Sequence, residues 1–127
     1  MLGKSERLKD RYLFDVTFKI GKTKRQRLSS KHFLLYYLFT KKGQPPCMPK
    51  TAFIVGLKVD KKATQRNLVK RRMRASYQLI KKKLINLNKN NLFALIWIAN
   101  PEANNASYKE INQTMERMLT SIVRKEA

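Results

Sequence analysis

TAFIVGLKVDKKATQRNLVKRRMRASYQLIKKKLINLNKNNLFALIWIA, residues Thr51–Ala99, is the stretch whose reading decides the fold. Its first nine residues, Thr51–Val59, are rich in β-branched and aromatic side chains and read as a strand. From about Thr64 to Leu87, Val69, Met73, Tyr77, Ile80, Leu84 and Leu87 recur at three- and four-residue steps. That spacing lays one apolar stripe along a long helix. NKNN is a turn, and LFALIWIA (Leu92–Ala99) is a buried strand with Trp97 inside. A strand, a helix and a strand in that order build a sheet with a helix packed on it.

The flanks complete the pattern. HFLLYYLFT (His32–Thr40) alternates Phe33, Leu35, Tyr37 and Phe39 with Leu34, Tyr36 and Leu38, apolar on both faces. It is expected to be a central strand covered on both sides. Lys22–Lys31 is basic and polar, an edge strand or hairpin arm, and KKGQPPCMPK is a loop broken by Pro45, Pro46 and Pro49. Asp10 is placed to cap a first helix running to about Lys19, with Gly21 closing it. On that helix Leu13, Val16, Thr17 and Ile20 share the expected buried face, and Phe14 and Phe18 stand off it as an i, i+4 pair. Ser107-Tyr108-Lys109-Glu110 is a capping box. It opens a last helix with Ile111, Met115, Met118, Leu119 and Ile122 on its apolar side. The expectation is one domain over residues 1–127, a small α/β sandwich of one sheet and three helices, with residues 1–9 a flexible basic arm.

Charge narrows the function. The chain of 127 residues carries 29 Lys+Arg against 8 Asp+Glu, a net +21, with 43% apolar residues. Residues 100–127 balance to zero, so the whole excess lies in residues 1–99. Self-repulsion of that size destabilises a compact state unless a polyanion offsets it. A folded, strongly basic domain points to nucleic acid. An anionic membrane would require a basic amphipathic helix with a broad apolar face instead. No stretch is long and apolar enough to span a bilayer, and MLGKSERLKD is not a signal peptide. With Cys47 as the single cysteine there is no internal disulfide, and a cytoplasmic setting is expected.

The bases concentrate in Lys58–Lys83, which holds eleven of them and one acid, Asp60. Lys61, Lys62 and Arg66 crowd the start of the helix, against its macrodipole. Lys70 and Arg74, with Asn67 and Arg71 on the adjacent arc, project to one side of the buried stripe, and no acid lies four residues away to pair with them. A solvated helix face is the ordinary explanation of a charge run. An unpaired basic arc beside the free amides of a helix start suits phosphate oxygens better.

Arg66-Asn67-Leu68-Val69-Lys70-Arg71-Arg72-Met73-Arg74 resembles the signature of the bacterial ribonuclease P protein family. That signature runs Arg-Asn-Arg, a variable residue, Lys-Arg, two more residues and Arg. Arg66, Asn67, Lys70, Arg71 and Arg74 match, and Leu68 stands where the family usually has Arg. The lead-in Lys61-Lys62-Ala63-Thr64-Gln65 is similar but lacks the family's glycine. Arg7-Leu8-Lys9, Phe14, Phe18 and Gly21-Lys22 look like the family's opening helix, and Phe33-Leu34-Leu35-Tyr36 like its second strand. Leu95–Pro101 resembles its last strand, with Asn100 where Arg is common. Lys22–Lys31 is a few residues longer than usual.

The resemblance implies a ribosomal-protein-like fold with a mixed sheet and a left-handed strand–helix–strand crossover. It implies that Lys58, Lys61, Lys62, Arg66, Asn67, Lys70, Arg71 and Arg74 bind the catalytic ribonuclease P RNA. It also implies that Phe14, Phe18 and Tyr36 line a cleft for the 5′ leader of precursor tRNA; on the residues alone, cleft and core positions remain equal alternatives for these rings. Mg²⁺ would be held mainly by the RNA subunit and substrate, with no obligate protein partner and no membrane. The chain has no expected catalytic residue or metal site. One His and one Cys exclude a His/Cys zinc site, and the acids are scattered. His32 is expected to hydrogen-bond locally. A ribosomal protein or RNA chaperone without a catalytic partner is the alternative.

Overall fold

The computed structural model describes residue 8 and residues 11–23, 26–39, 50–87 and 92–125. Its elements run α1 (Arg11–Thr23), β1 (Arg27–Ser29), β2 (Phe33–Phe39), β3 (Lys50–Ile54), α2 (Ala63–Leu87), β4 (Leu92–Ala99), a short 3₁₀ turn (Pro101–Asn105) and α3 (Tyr108–Lys125). The sheet order is β1-β2-β4-β3. β2 pairs antiparallel with both β1 and β4, and β3 pairs parallel with β4. A parallel neighbour requires a crossover, which α2 supplies. This is an α+β arrangement of the three helices and one sheet that the sequence pattern implies, with the mixed sheet that the resemblance implies.

The pleat divides the side chains into two layers. Phe33, Leu35 and Tyr37 of β2, Phe53 of β3 and Leu95, Trp97 and Ala99 of β4 face α2 and α3. They meet Val69, Met73, Tyr77 and Ile80 of α2, and Ile111, Met115, Met118, Leu119 and Ile122 of α3, all buried. Trp97 is fully enclosed, with Phe33 edge-on at 6.2 Å between ring centroids. Thr51 and Tyr77 place the hydroxyls of β3 and α2 3.0 Å apart in this layer. The other layer is thinner. Leu8, Tyr36, Ala94 and Ile96 are buried there, and Leu34, Leu38, Ala52, Ile54 and Ile98 only partly so, with α1 lying across them. The expectation that β2 is covered on both sides therefore holds in full only for the face under α2 and α3.

Three boundaries differ from the sequence reading. Strand β3 stops at Ile54 rather than Val59. The chain turns at Gly56, with the Val59 N–H donating to the Gly56 carbonyl at 3.1 Å, because Asp60 must come round to start the next helix. Val59 is buried all the same, as a plug from the turn. The segment after Asn100 forms a 3₁₀ turn with proline in its first turn, where a missing N–H costs nothing. The capping box forms as expected: the Glu110 N–H donates to Ser107 Oγ at 3.2 Å, and the Ser107 N–H donates to Glu110 Oε1 at 3.4 Å. His32 bonds across the fold rather than locally, with Nδ1 3.1 Å from Thr114 Oγ1 on α3.

Helix α1 differs most. It runs on to Thr23, and Gly21 is buried inside its last turn instead of ending it. A Cβ on Gly21 would stand 2.9 Å from Tyr36 Cε1, closer still to Cδ1, and 3.3 Å from the Gln26 carbonyl oxygen. The glycine is there for close approach to a ring beneath. The sheet-facing side of the helix is also turned from the expected stripe. Leu13, Phe14, Thr17, Phe18 and Gly21 face the sheet cluster, whereas Val16 and Ile20 do not join it. Two phenyl rings remove more apolar area from water than Val and Ile, and this decides the rotation. Gly21→Ala is expected to destabilise the fold by about 1–3 kcal/mol through overpacking. Denaturant unfolding checks this, and an unchanged midpoint would mean that the ring moves aside freely.

The capping role of Asp10 and most of the 1–9 arm lie outside the described residues. Leu8 is an anchored point of that segment: it is buried, and its N–H donates to the Thr51 carbonyl on the edge of β3 at 3.1 Å. Among the described residues no helix is long and apolar enough to cross a membrane.

Candidate nucleic-acid interface

The start of α2 is built by a carboxylate. Asp60 Oδ1 accepts the Lys62 N–H at 2.8 Å, and Asp60 Oδ2 accepts Asn104 Nδ2 at 3.1 Å. Gln65 Nε2 donates to Asn104 Oδ1 at 2.8 Å, which ties the helix to the 3₁₀ turn. The backbone bond from Lys62, then the Asn104 amide and the charges of Lys62 and Arg66, hold the Asp60 carboxyl below its ordinary value. A carboxyl lowered on folding stabilises the fold above its unfolded pKa, and this contribution is lost as pH falls through the folded value. Asp60 thus offsets the positive charge crowded at this helix start.

Arg66, at the crowded helix start, is engaged by the backbone. Its Nη1 donates to the carbonyls of Asp60 at 3.0 Å and Lys61 at 2.8 Å, clasping the loop that enters the helix. Arg72 lies off the arc, and its Nη1 donates to the Ala106 carbonyl at 3.2 Å, just before α3. Five bases and an amide remain on the outward arc or at its start: Lys61, Lys62, Asn67 and Arg71 are exposed, and Lys70 and Arg74 are half-buried. Lys58 is exposed in the turn before them. Arg74 Nε is buried without a hydrogen-bond partner among the described residues, a donor still to be satisfied. Leu68 projects about 160° round the helix from Lys70 and about 60° from Arg71, so it stands at the border of this arc on the Arg71 side.

The aromatic residues gather on the opposite side of the sheet. Phe14 and Phe18 stack with centroids 6.4 Å apart, and Phe18 stands edge-on to Tyr36 at 4.9 Å. Tyr36 is only 6% exposed beneath α1, so it forms floor rather than wall. Phe14 and Phe18 are half-buried, with the partly exposed Leu34, Leu38, Ala52, Ile54 and Ile98 in the same cluster. A half-covered sheet flanked by paired rings is the form that receives unpaired bases.

Two cations escaped the sequence reading. The ladder pairs Arg27 with Tyr36 and Lys50 with Ala94, which places both bases on this aromatic side. The alternation Arg27-Leu28-Ser29 carried the signal for the first, but a three-residue strand is too short to set its own register. Among the described residues no three of His, Cys, Asp and Glu gather to hold a metal ion.

The profile of the Ribonuclease P family matches residues 2–123. No curated protein matches the chain. The ribonuclease P protein of Staphylococcus aureus has the same fold at a TM-score of 0.71 and 21% identity, over 94% of this chain and 96% of that one. A mutant of the S. aureus protein described as defective in mRNA degradation activity gives 0.73 at 21% identity, over 94% and 89%. The Thermotoga maritima ribonuclease P protein gives 0.68 at 21% identity, over 91% and 96%. A fold in common with these structures, and a family profile that runs through almost the whole chain and includes the basic helix, lead to one conclusion: this chain belongs to the ribonuclease P protein family.

Proposed function

We propose that the chain is the protein subunit of a ribonuclease P ribonucleoprotein, bridging the catalytic RNA and its substrate. Membership in the family implies an RNA partner and participation in an endoribonuclease complex. The observation that carries the finer reading is the division of labour between the two sides of one sheet. The basic arc belongs to α2, packed on one face, and the Phe14–Phe18 pair belongs to α1 on the other. Lys58, Lys61, Lys62, Asn67, Lys70, Arg71 and Arg74, with Arg66 holding their loop in place, seat on phosphates of the catalytic RNA. The rings accept bases of the single-stranded 5′ leader of precursor tRNA. Stacking is tolerant of sequence, as an enzyme serving many leaders requires.

The chain supplies neither nucleophile nor general base in this reading. Cleavage at the leader junction is the work of the RNA, with Mg²⁺ held by RNA and substrate, in the cytoplasm and with no obligate protein partner. Adding the protein to a bacterial ribonuclease P RNA at low Mg²⁺ is expected to restore cleavage of precursor tRNA that the RNA alone performs poorly. No stimulation, with equal binding of precursor and mature tRNA, is the result a ribosomal protein or RNA chaperone would give.

A further inference from the structure

The aromatic row of α1 continues into a pair of cations. Phe14, Phe18 and Lys22 lie at i, i+4 and i+8, successive places along one flank of the helix, and Lys22 is exposed. Arg27 is exposed on β1 and is the ladder partner of Tyr36, the ring that Phe18 meets edge-on. Residues directly opposite in an antiparallel pair point to the same face, so Arg27 stands on the aromatic side of the sheet. The last turn of α1 and the start of β1 lie against each other here, since Gly21 rests on Tyr36 and faces the Gln26 carbonyl. No described residue makes a hydrogen bond or ion pair with the side chain of Lys22 or Arg27.

We propose that Lys22 and Arg27 form a phosphate-binding exit for single-stranded RNA, extending the aromatic groove over the β1 edge of the sheet. This rests on the reading of the groove as the leader site. A strand whose bases stack on Phe14 and Phe18 meets these two charges next, and its phosphates give them the counter-ions that the protein does not. Because the proposed function gives cleavage to the RNA held at α2, the exit takes the part of the leader remote from the scissile bond. Helix α2 departs from the end of β3, and β3 lies at the opposite edge of the sheet from β1. Three inter-strand steps separate those edges, about 14 Å. A basic residue on an edge strand also discourages edge pairing, and Lys22 suits the negative end of α1. Neither of those roles depends on the length of a leader.

The test uses the holoenzyme assembled from the full chain and a bacterial ribonuclease P RNA. Two precursor tRNAs are compared, one with a leader ending at the aromatic row and one with a leader extended well past it. Lys22→Ala/Arg27→Ala is expected to weaken binding of the long-leader substrate about tenfold, roughly threefold for each exposed charge contact. The salt slope for that substrate falls by about 1.4, or 0.7 for each single-strand phosphate released. Binding of the short-leader substrate stays unchanged, and Arg27→Lys restores most of its share. Equal losses on both substrates, or an unchanged salt slope on the long one, overturn the proposal. Weaker binding to the catalytic RNA itself also overturns it, while the leader groove stands. Absence of any leader-dependent loss in Phe18→Ala removes the groove and the exit together. Lys22→Gln/Arg27→Gln, which keeps side-chain bulk, repeats the comparison should the alanine pair alter the circular dichroism spectrum.

Discussion

Affinity for the ribonuclease P RNA is expected to fall about 10³-fold as salt rises from about 50 to about 200 mM. The size follows from a count of cations that the fold leaves available. Of the bases near the start of α2, Arg66 commits its Nη1 to the carbonyls of Asp60 and Lys61, and Arg72 its Nη1 to that of Ala106, so neither is counted among the freely projecting cations. Lys58, Lys61, Lys62, Lys70, Arg71 and Arg74 remain, enough for about six phosphates, the low end of the range that gives losses of 10³–10⁵. A filter-binding titration over that range measures the slope. A flat response would mean that this surface is not the RNA contact. A loss near 10⁵ would mean that further bases take part.

Phe18→Ala is the second large effect. If Phe18 stacks on a leader base, its removal takes about 1–3 kcal/mol from binding of precursor tRNA by the assembled enzyme. The loss disappears for mature tRNA, and binding to the catalytic RNA is unchanged. The variant also loses stability, because Phe18 meets Tyr36 edge-on at 4.9 Å. That loss stays below the 3–5 kcal/mol of a fully enclosed phenylalanine, since one side of the ring faces solvent. Measuring thermal stability beside affinity for leader-bearing and leaderless substrates separates the two contributions. Equal affinity losses on both substrates would assign Phe18 to the core alone.

What could be read from the sequence, and what could not, follows from which interactions are periodic. The two strands apolar on both faces, the Val69/Met73/Tyr77/Ile80 stripe and the Ser107/Glu110 box are all local repeats, and each appears where its pattern places it. The basic arc of α2 was legible for the same reason. The sheet-facing side of helix α1 was not, because Phe14 and Phe18 flank Thr17 on one side and Val16 and Ile20 on the other. A wheel cannot choose between two apolar flanks, and only the partner surface does. Gly21 was misread as a helix terminator because the same lack of a Cβ serves a left-handed cap and a close contact equally well. The bonds of Arg66 could not be foreseen, because its partners are main-chain carbonyls, which every residue possesses and no pattern marks. The place of Arg27 depends on strand register, which exists only once β1 has paired with β2.

The two layers of the sheet are unequal, and this gives the molecule two tiers of cohesion. The layer beneath α2 and α3 holds Trp97, Tyr77, Met73 and the apolar side of α3, while in the layer under α1 the described residues include four buried apolar ones, Leu8, Tyr36, Ala94 and Ile96, among side chains that are only partly covered. Opening free energies within one domain scale with buried contact, so opening of α1 is expected to cost less than opening of α2 and the strands, an ordering that amide hydrogen exchange measures. On the proposed function, the part assigned to one constant partner is the rigid tier, and the part assigned to a different sequence in each substrate is the soft one. Adaptation to variable ligands would then draw on the cheaper of the two tiers and leave the Trp97 core in place.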